Sequence, residues 1–216
     1  QTQEFKLGNP RRLLIVDQLN LFFRSYIVDP SLSTNGQPIG GLKGVIKSLQ
    51  KIIRECKPDK VIVCWDGRGG STRRKAINKN YKEGRKPPRL NRGARVLSES
   101  EEQTNKVWQL RRLTEYFNST PIIQFMFDGV EADDVIAYLV KHKVYEDWQK
   151  VIVSSDKDFF QLTDEKTVIY RPVQKQVVNM NHLLKEYKIH PNNFALARAM
   201  VGDKSDNLEG VGGIGL

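Results

Sequence analysis

Three short apolar runs in this chain end in an aspartate. Leu13-Leu14-Ile15-Val16 leads into Asp17, Val61-Ile62-Val63-Cys64-Trp65 into Asp66, and Val151-Ile152-Val153-Ser154-Ser155 into Asp156. Apolar runs this short, without polar alternation, read as strands buried on both faces, the condition inside a parallel sheet. Ile122 to Phe127 makes a fourth. Between the first two, after a Pro/Ser/Asn/Gly loop from Pro30 to Gly41, Leu42, Val45, Ile46, Leu49, Ile52, Ile53 and Cys56 fall at helical spacing, and Pro58 stops the helix. Residues 101–117 return to helix, with Val107, Leu110, Leu113 and Phe117 as its apolar stripe. Strands alternating with helices of this length describe an α/β fold, a mostly parallel central sheet with helices on both faces. In such sheets ligands bind outside the carboxyl ends of the strands, so topology alone gathers Asp17, Asp66 and Asp156 at one edge.

The fourth run continues into Asp128-Gly129-Val130-Glu131-Ala132-Asp133-Asp134. From Ala132 the apolar residues Val135, Ile136, Leu139 and Val140 mark one buried helical face, Gly129 frees the turn into it, and Lys141, His142 and Lys143 suit its C-terminal end. Taken alone, this stretch reads best as an acidic capped helix, although capping accounts for one or two acids and here there are three. With three strand-terminal aspartates delivered to the same edge, a shared metal site becomes the better reading, because crowded carboxylates stay ionised when a divalent cation lies between them. Any single strand-terminal Asp is more often a turn residue bonding its own backbone. Two pairs extend the set. Asp156 and Asp158 point to one side of an extended chain past the strand end. Asp203 and Asp206 meet across a helical turn, with an Asx turn or helix cap as the ordinary alternative. The glycine-rich Glu209 to Leu216 follows, where the backbone can approach a phosphate or an ion closely.

Charge adds the second constraint. The formal charge is +10, yet between Gly67 and Ser98 lie eleven of the 35 basic residues and one of the 25 acids, leaving 24 of each sign elsewhere. A balanced body therefore carries one strongly cationic element, whose Gly, Asn and Pro-Pro content argues for a loop or broken helices projecting from it. At 216 residues and 39% hydrophobic, one main domain is expected. Cys56 and Cys64 read as buried thiols of a reducing compartment. No apolar run is long enough for a membrane span, the N-terminal Gln-Thr-Gln-Glu-Phe lacks a signal-peptide pattern, and the start is read as trimmed or not shown. No zinc-spaced Cys/His set, phosphate-binding Gly-x-x-x-x-Gly-Lys loop or Gly-x-Ser-x-Gly elbow supports other hydrolase classes.

Taken together, the motifs resemble the 5′ nuclease (flap endonuclease) superfamily across essentially the whole chain. They are Val16-Asp17, Trp65-Asp66-Gly67, Gly129-Val130-Glu131-Ala132-Asp133-Asp134, Ser154-Ser155-Asp156-Lys157-Asp158-Phe159 with Gln161-Leu162, and Gly202-Asp203-Lys204-Ser205-Asp206-Asn207 with Gly210-Val211-x-Gly213-Ile214-Gly215. The wording is most similar to the stand-alone bacteriophage enzymes, some called ribonuclease H because they remove RNA primers. The resemblance implies a PIN/5′ nuclease-like fold and two groups of metal-binding acids. One comprises Asp17, Asp66, Glu131, Asp133, Asp134 and Asp156, the other Asp158, Asp203 and Asp206. Two Mg²⁺ are implied, with Mn²⁺ as substitute. It makes residues 67–98 a helical arch through which a free 5′ end passes, with Arg74, Tyr81, Lys82 and Arg85 matching the arch pattern. Arg74, Lys82 and Arg85 are then candidate catalytic cations, and Tyr81 a base-stacking ring. Arg73, Lys75, Lys79, Lys86 and Arg89 join them as nucleic-acid-binding residues. Residues 191–216 look like the start of a helix-hairpin-helix that grips duplex backbone, Gly213 and Gly215 included, and can hold K⁺ through carbonyl oxygens. The chain departs from the family by stopping at Leu216, before that module's second helix.

The implied enzyme is a monomeric, cytoplasmic 5′-3′ exonuclease and flap endonuclease, in a host cytoplasm if phage-encoded. Its partners are DNA with a 5′ flap or free 5′ end, RNA–DNA hybrids, and replication proteins such as a clamp or single-strand-binding protein. Two alternatives compete: a PIN-type ribonuclease, against which the long basic segment and the glycine-rich tail argue, and a catalytically silent nucleic-acid-binding scaffold, which missing acids would favour. None is missing.

Overall fold

A computed structural model describes residues 10–90 and 97–215. Arg92 and Arg95 of the basic segment, the N-terminal stretch read for a signal peptide, and Leu216 lie outside the described residues. In chain order the elements are β1 (Arg12–Asp17), α1 (Gln18–Val28), α2 (Gly40–Cys56), β2 (Lys60–Cys64), α3 (Thr72–Ile77), α4 (Glu99–Asn118), β3 (Ile123–Phe125) and α5 (Ala132–Lys141). Then come β4 (Gln149–Val153), β5 (Thr167–Arg171), β6 (Gln176–Val178), α6 (Met180–Glu186), α7 (Pro191–Val201), β7 (Gly202–Asp203) and β8 (Leu208–Glu209). Short 3₁₀ turns lie at Lys143–Tyr145, Lys157–Leu162 and Lys204–Asp206.

The six-stranded sheet runs β3-β2-β1-β4-β5-β6, parallel except for β6, and β7 and β8 form a separate antiparallel pair. Alternate residues of the central strands feed two cores. Leu14, Val16, Val63 and Val153 pack with Leu21, Phe22 and Tyr26 of α1, Val45 and Leu49 of α2, and Leu113 and Phe117 of α4. Leu13, Ile15, Ile62, Cys64 and Ile152 pack on the opposite face with Val135, Ile136, Leu139 and Val140 of α5, and with Phe160, Leu183 and Phe194. After β1 the chain steps outward to β2 and β3, then returns through α5 to β4 on the other side of β1. Strand order thus reverses between β1 and β4, the crevice where open α/β sheets bind ligands.

Several elements differ from expectation for identifiable reasons. The run from Ile122 to Phe127 forms an edge strand of only three residues, leaving Met126 and Phe127 exposed, because it has a neighbour on one side alone. α4 begins two residues earlier than expected, behind a Ser98–Glu101 capping box. Its expected apolar residue Val107 is 55% exposed. The buried face of its first turns is polar instead. Glu102, Asn105 and Gln109 are held by Arg89, the Pro38 carbonyl and the Leu42 N–H. Asp158 sits in a 3₁₀ turn that Asp156 caps, the Asp158 N–H donating to Asp156 Oδ1 at 2.9 Å, in place of an extended chain. Both cysteines are buried and unbridged.

Candidate metal and nucleic-acid site

Asp17 closes β1, where Ser154 at the end of β4 donates to its Oδ2 at 2.9 Å and the Asn20 N–H reaches Oδ1 at 3.4 Å. It therefore lies on the floor of the crevice between the two strands where the order reverses. Burial, reinforced by the charges of Asp66 and Asp156 against the opposing Ser154 hydrogen bond, pushes its carboxyl up to about 7. Both neighbours stand two residues past the registered strand level, since Asp17 pairs with Cys64 and Val16 with Val153.

The sequence brings Asp66 and Glu131 together through one close approach. The Gly67 N–H donates to the Val130 carbonyl at 2.9 Å, and a Cβ on Gly67 would stand 1.7 Å from the Phe127 carbonyl oxygen. Only glycine fits there. Asp66 Oδ1 then accepts the Ala132 N–H at 2.7 Å and caps α5, while Gly129 takes φ 76° in the turn before it. Asp133 and Asp134 occupy the first turn of α5 and Glu131 its N-cap position. Burial first, then the charges of Glu131 and Asp134 against that of Arg74, raises Asp133 to about 6.

Cations of the basic segment lie directly on these acids. Arg74 pairs with Glu131 and, at 2.9 Å, with Asp134; Lys82 Nζ is 3.0 Å from Glu131 Oε1. Glu131 is 5% exposed, so both contacts are poorly screened. Arg85 lies 3.1 Å from Asp206 without hydrogen-bond geometry. Asp206 is raised by burial, opposed by Arg85 and Lys82. Arg198, which the sequence did not single out, donates to Asp158 at 2.9 Å and to Asp203 at 2.6 Å. Burial alone would raise Asp203, but hydrogen bonds from Ser205 and the Arg198 charge hold it below the ordinary range. Burial raises Asp156 against the opposing hydrogen bond from the Asp158 N–H, and the Asp158 charge adds to the rise.

The structure thus places Asp66 and Asp156 within electrostatic reach of Asp17, Glu131, Asp133 and Asp134 around Arg74, and Asp158 and Asp203 around Arg198, with Asp206 beside Arg85. Such hard oxygen donors suit Mg²⁺ or Mn²⁺ by chemistry. Among the described residues, however, no three Asp, Glu, His or Cys side chains converge tightly enough to hold one ion as they stand. Ligation by Glu131 or Asp134 requires the Arg74 and Lys82 pairs to open.

The basic residues divide into three kinds. Arg73, Lys75, Lys79 and Lys86 are exposed. Arg74, Lys82 and Arg85 face acids. Arg89 is paired with Glu102 at 2.8 Å and with Glu99, which ties the end of the segment to α4 instead of leaving it free for phosphate. The expected base-stacking ring, Tyr81, is 8% exposed and carries Lys82 Nζ 4.9 Å over its face. With Leu90 also buried, the segment packs on the body at two points and does not simply project. A Cβ on Gly213 or Gly215 would meet nothing within 4 Å, so packing does not demand these glycines; Gly213 takes φ 83°.

The 5′-3′ exonuclease, N-terminal resolvase-like domain family matches residues 12–188. DNA polymerase I of Thermus aquaticus is 33% identical over 205 residues, which cover 94% of this chain and 23% of that protein. A 5′-3′ exonuclease of Aquifex aeolicus is 29% identical over 206 residues, covering 95% of this chain and 66% of that one. The chain therefore spans about a quarter of the polymerase relatives it matches. A bacteriophage T5 D15 flap endonuclease solved with DNA and metal ions superposes with a TM-score of 0.75 and 25% identity, covering 95% of this chain and 71% of that one. With residues 12–188 matched and the aspartate-ended parallel sheet in place, the chain belongs to the family of 5′-3′ exonuclease N-terminal, resolvase-like domains.

Proposed function

We propose that this chain is a Mg²⁺-dependent 5′ nuclease that hydrolyses phosphodiesters near the 5′ end of flap, nicked or primer-bearing DNA, RNA primers included. The observation that carries this reading is that the charges of Asp66 and Asp156 both reach the buried Asp17 at the point of strand reversal, beside a segment rich in cations. Asp17, Asp66, Glu131, Asp133, Asp134 and Asp156 would hold one divalent cation, and Asp158, Asp203 and Asp206 a second, with Mn²⁺ able to replace Mg²⁺. When bound, such ions lower the pKa of water and neutralise charge on phosphoryl oxygens.

The remaining work falls to the chain's own side chains. Arg73, Lys75, Lys79 and Lys86 attract and track the phosphate backbone. Lys82 and Arg85, which rest on Glu131 and Asp206, would exchange those carboxylates for the scissile phosphate, with Arg74 beside them. The open backbone around Gly213 and Gly215 is free to approach duplex phosphates, and K⁺ held by its carbonyls would assist.

Asp156→Asn tests the reading. It removes a candidate ligand charge and leaves the cationic segment in place, so cleavage of a labelled 5′-flap DNA is lost while binding measured in Ca²⁺ holds or tightens. Loss of binding in parallel with cleavage, in a folded protein, would remove Asp156 from the metal site.

A further inference from the structure

The basic segment meets the C-terminal part of the chain at one side chain. Asn207 follows the 3₁₀ turn Lys204–Asp206 in left-handed conformation, φ 56°, and its amide nitrogen donates to the carbonyl oxygens of Asn80 at 3.1 Å and Glu83 at 2.7 Å. One residue back, the Asp206 carbonyl accepts the Lys82 N–H at 3.2 Å. These three bonds straddle Tyr81 and Lys82. An amide carries two N–H groups and so can serve two acceptors three residues apart; a hydroxyl or a carboxylate cannot.

The turn so gripped is not one the chain would favour alone. Lys82 has φ 56°, a left-handed conformation that costs a non-glycine residue on the order of 1 kcal/mol or more and persists where surroundings impose it. That conformation sets where the Lys82 side chain leaves the backbone, and hence its contacts over Tyr81 and on Glu131. We infer that Asn207 is a positioning residue for Lys82: it holds the 80–84 turn over the carboxylates from the far side of the site. This inference rests on the reading that Lys82 acts at the scissile phosphate. It also joins the glycine-rich segment that follows Asn207 mechanically to the basic segment.

Asn207→Gly is the informative variant, because glycine keeps the left-handed backbone without strain and deletes only the amide. Asn207→Asp, which keeps the shape and removes both donors, is its companion. In hydrogen exchange of the whole chain, both variants should speed exchange at residues 80–84 and leave β1 and β4 unchanged. Single-turnover cleavage at saturating enzyme should fall at least about tenfold, with DNA affinity in Ca²⁺ altered by less than about twofold. The double variant Lys82→Ala/Asn207→Gly should be no slower than Lys82→Ala, since Asn207 acts through Lys82. Unchanged exchange at 80–84, or losses that multiply in the double variant, would overturn the inference. If Lys82→Ala alone keeps the full rate, the role of Lys82 fails, and the exchange data still decide whether Asn207 holds the turn.

Discussion

Removing the charge of Asp17 should stabilise the metal-free protein at neutral and alkaline pH. Its carboxyl rises from an ordinary 3.8 to about 7 on folding, through burial and then the charges of Asp66 and Asp156. The folded state therefore holds that proton more tightly than the unfolded chain does. The resulting stability is fully present below about pH 4 and is lost as pH rises through about 7, with a ceiling of about 4 kcal/mol at ~1.4 kcal/mol per pH unit. Asp17→Asn keeps one acceptor oxygen, enough for Ser154 or Asn20 but not both, and deletes the titration, so at pH 8 the variant should be more stable by roughly 2 kcal/mol after the lost hydrogen bond is discounted. Urea unfolding in EDTA at intervals from pH 4.5 to 8.5 measures it. Wild type should lose stability across that range more steeply than the variant, whose remaining slope includes Asp133, raised to about 6. Parallel pH profiles for the two proteins would refute the claim that burial and like charges crowd Asp17.

Added Mg²⁺ should raise the wild-type melting temperature by mass action, and that of Asp156→Asn less; equal responses would argue against a ligand role. Gly67→Ala should cost about 2–3 kcal/mol in urea unfolding, because its Cβ meets a backbone carbonyl that cannot swing aside. Lys82→Ala should lower the saturated single-turnover rate by roughly 10²-fold, whereas Lys79→Ala should weaken binding and reduce the salt slope by about one counterion with the rate intact. Arg89→Ala should lower the melting temperature while leaving the salt slope of DNA binding unchanged, since its charge is spent on Glu99 and Glu102.

The strands and α5 were legible because burial on one or both faces writes itself into residue spacing: Leu13 to Val16, Ile62 to Cys64, and Val135, Ile136, Leu139 and Val140 all reach the core. α1 was not, since its start is capped by Asp17, a residue already assigned to the crevice. The polar buried face of α4 was invisible for the same reason that its core contribution is unusual: Asn105 and Gln109 are satisfied by partners 67 residues away in sequence. Among the site residues, the aspartates could be found because strand ends in a parallel sheet share an edge. Each also does the ordinary work first assigned to such residues. Asp66 caps α5, Asp156 caps a 3₁₀ turn, and Asp203 makes an Asx turn with Ser205. These capping roles are compatible with the metal-binding role proposed for the same acids. Arg198 left little signal, being one basic residue near the end of α7, and the pairing of Arg89 with α4 depends on where a mixed basic and proline-rich segment lands.

The most direct measurement is cleavage of a 5′-labelled flap DNA by the wild-type chain across a Mg²⁺ titration begun in EDTA. No product should form without a divalent cation, and short 5′ products should appear as Mg²⁺ is added, with Asp17→Asn inactive throughout. Cleavage that proceeds in EDTA, or that survives Asp17→Asn at full rate, would contradict a metal-dependent nuclease site at this carboxylate edge.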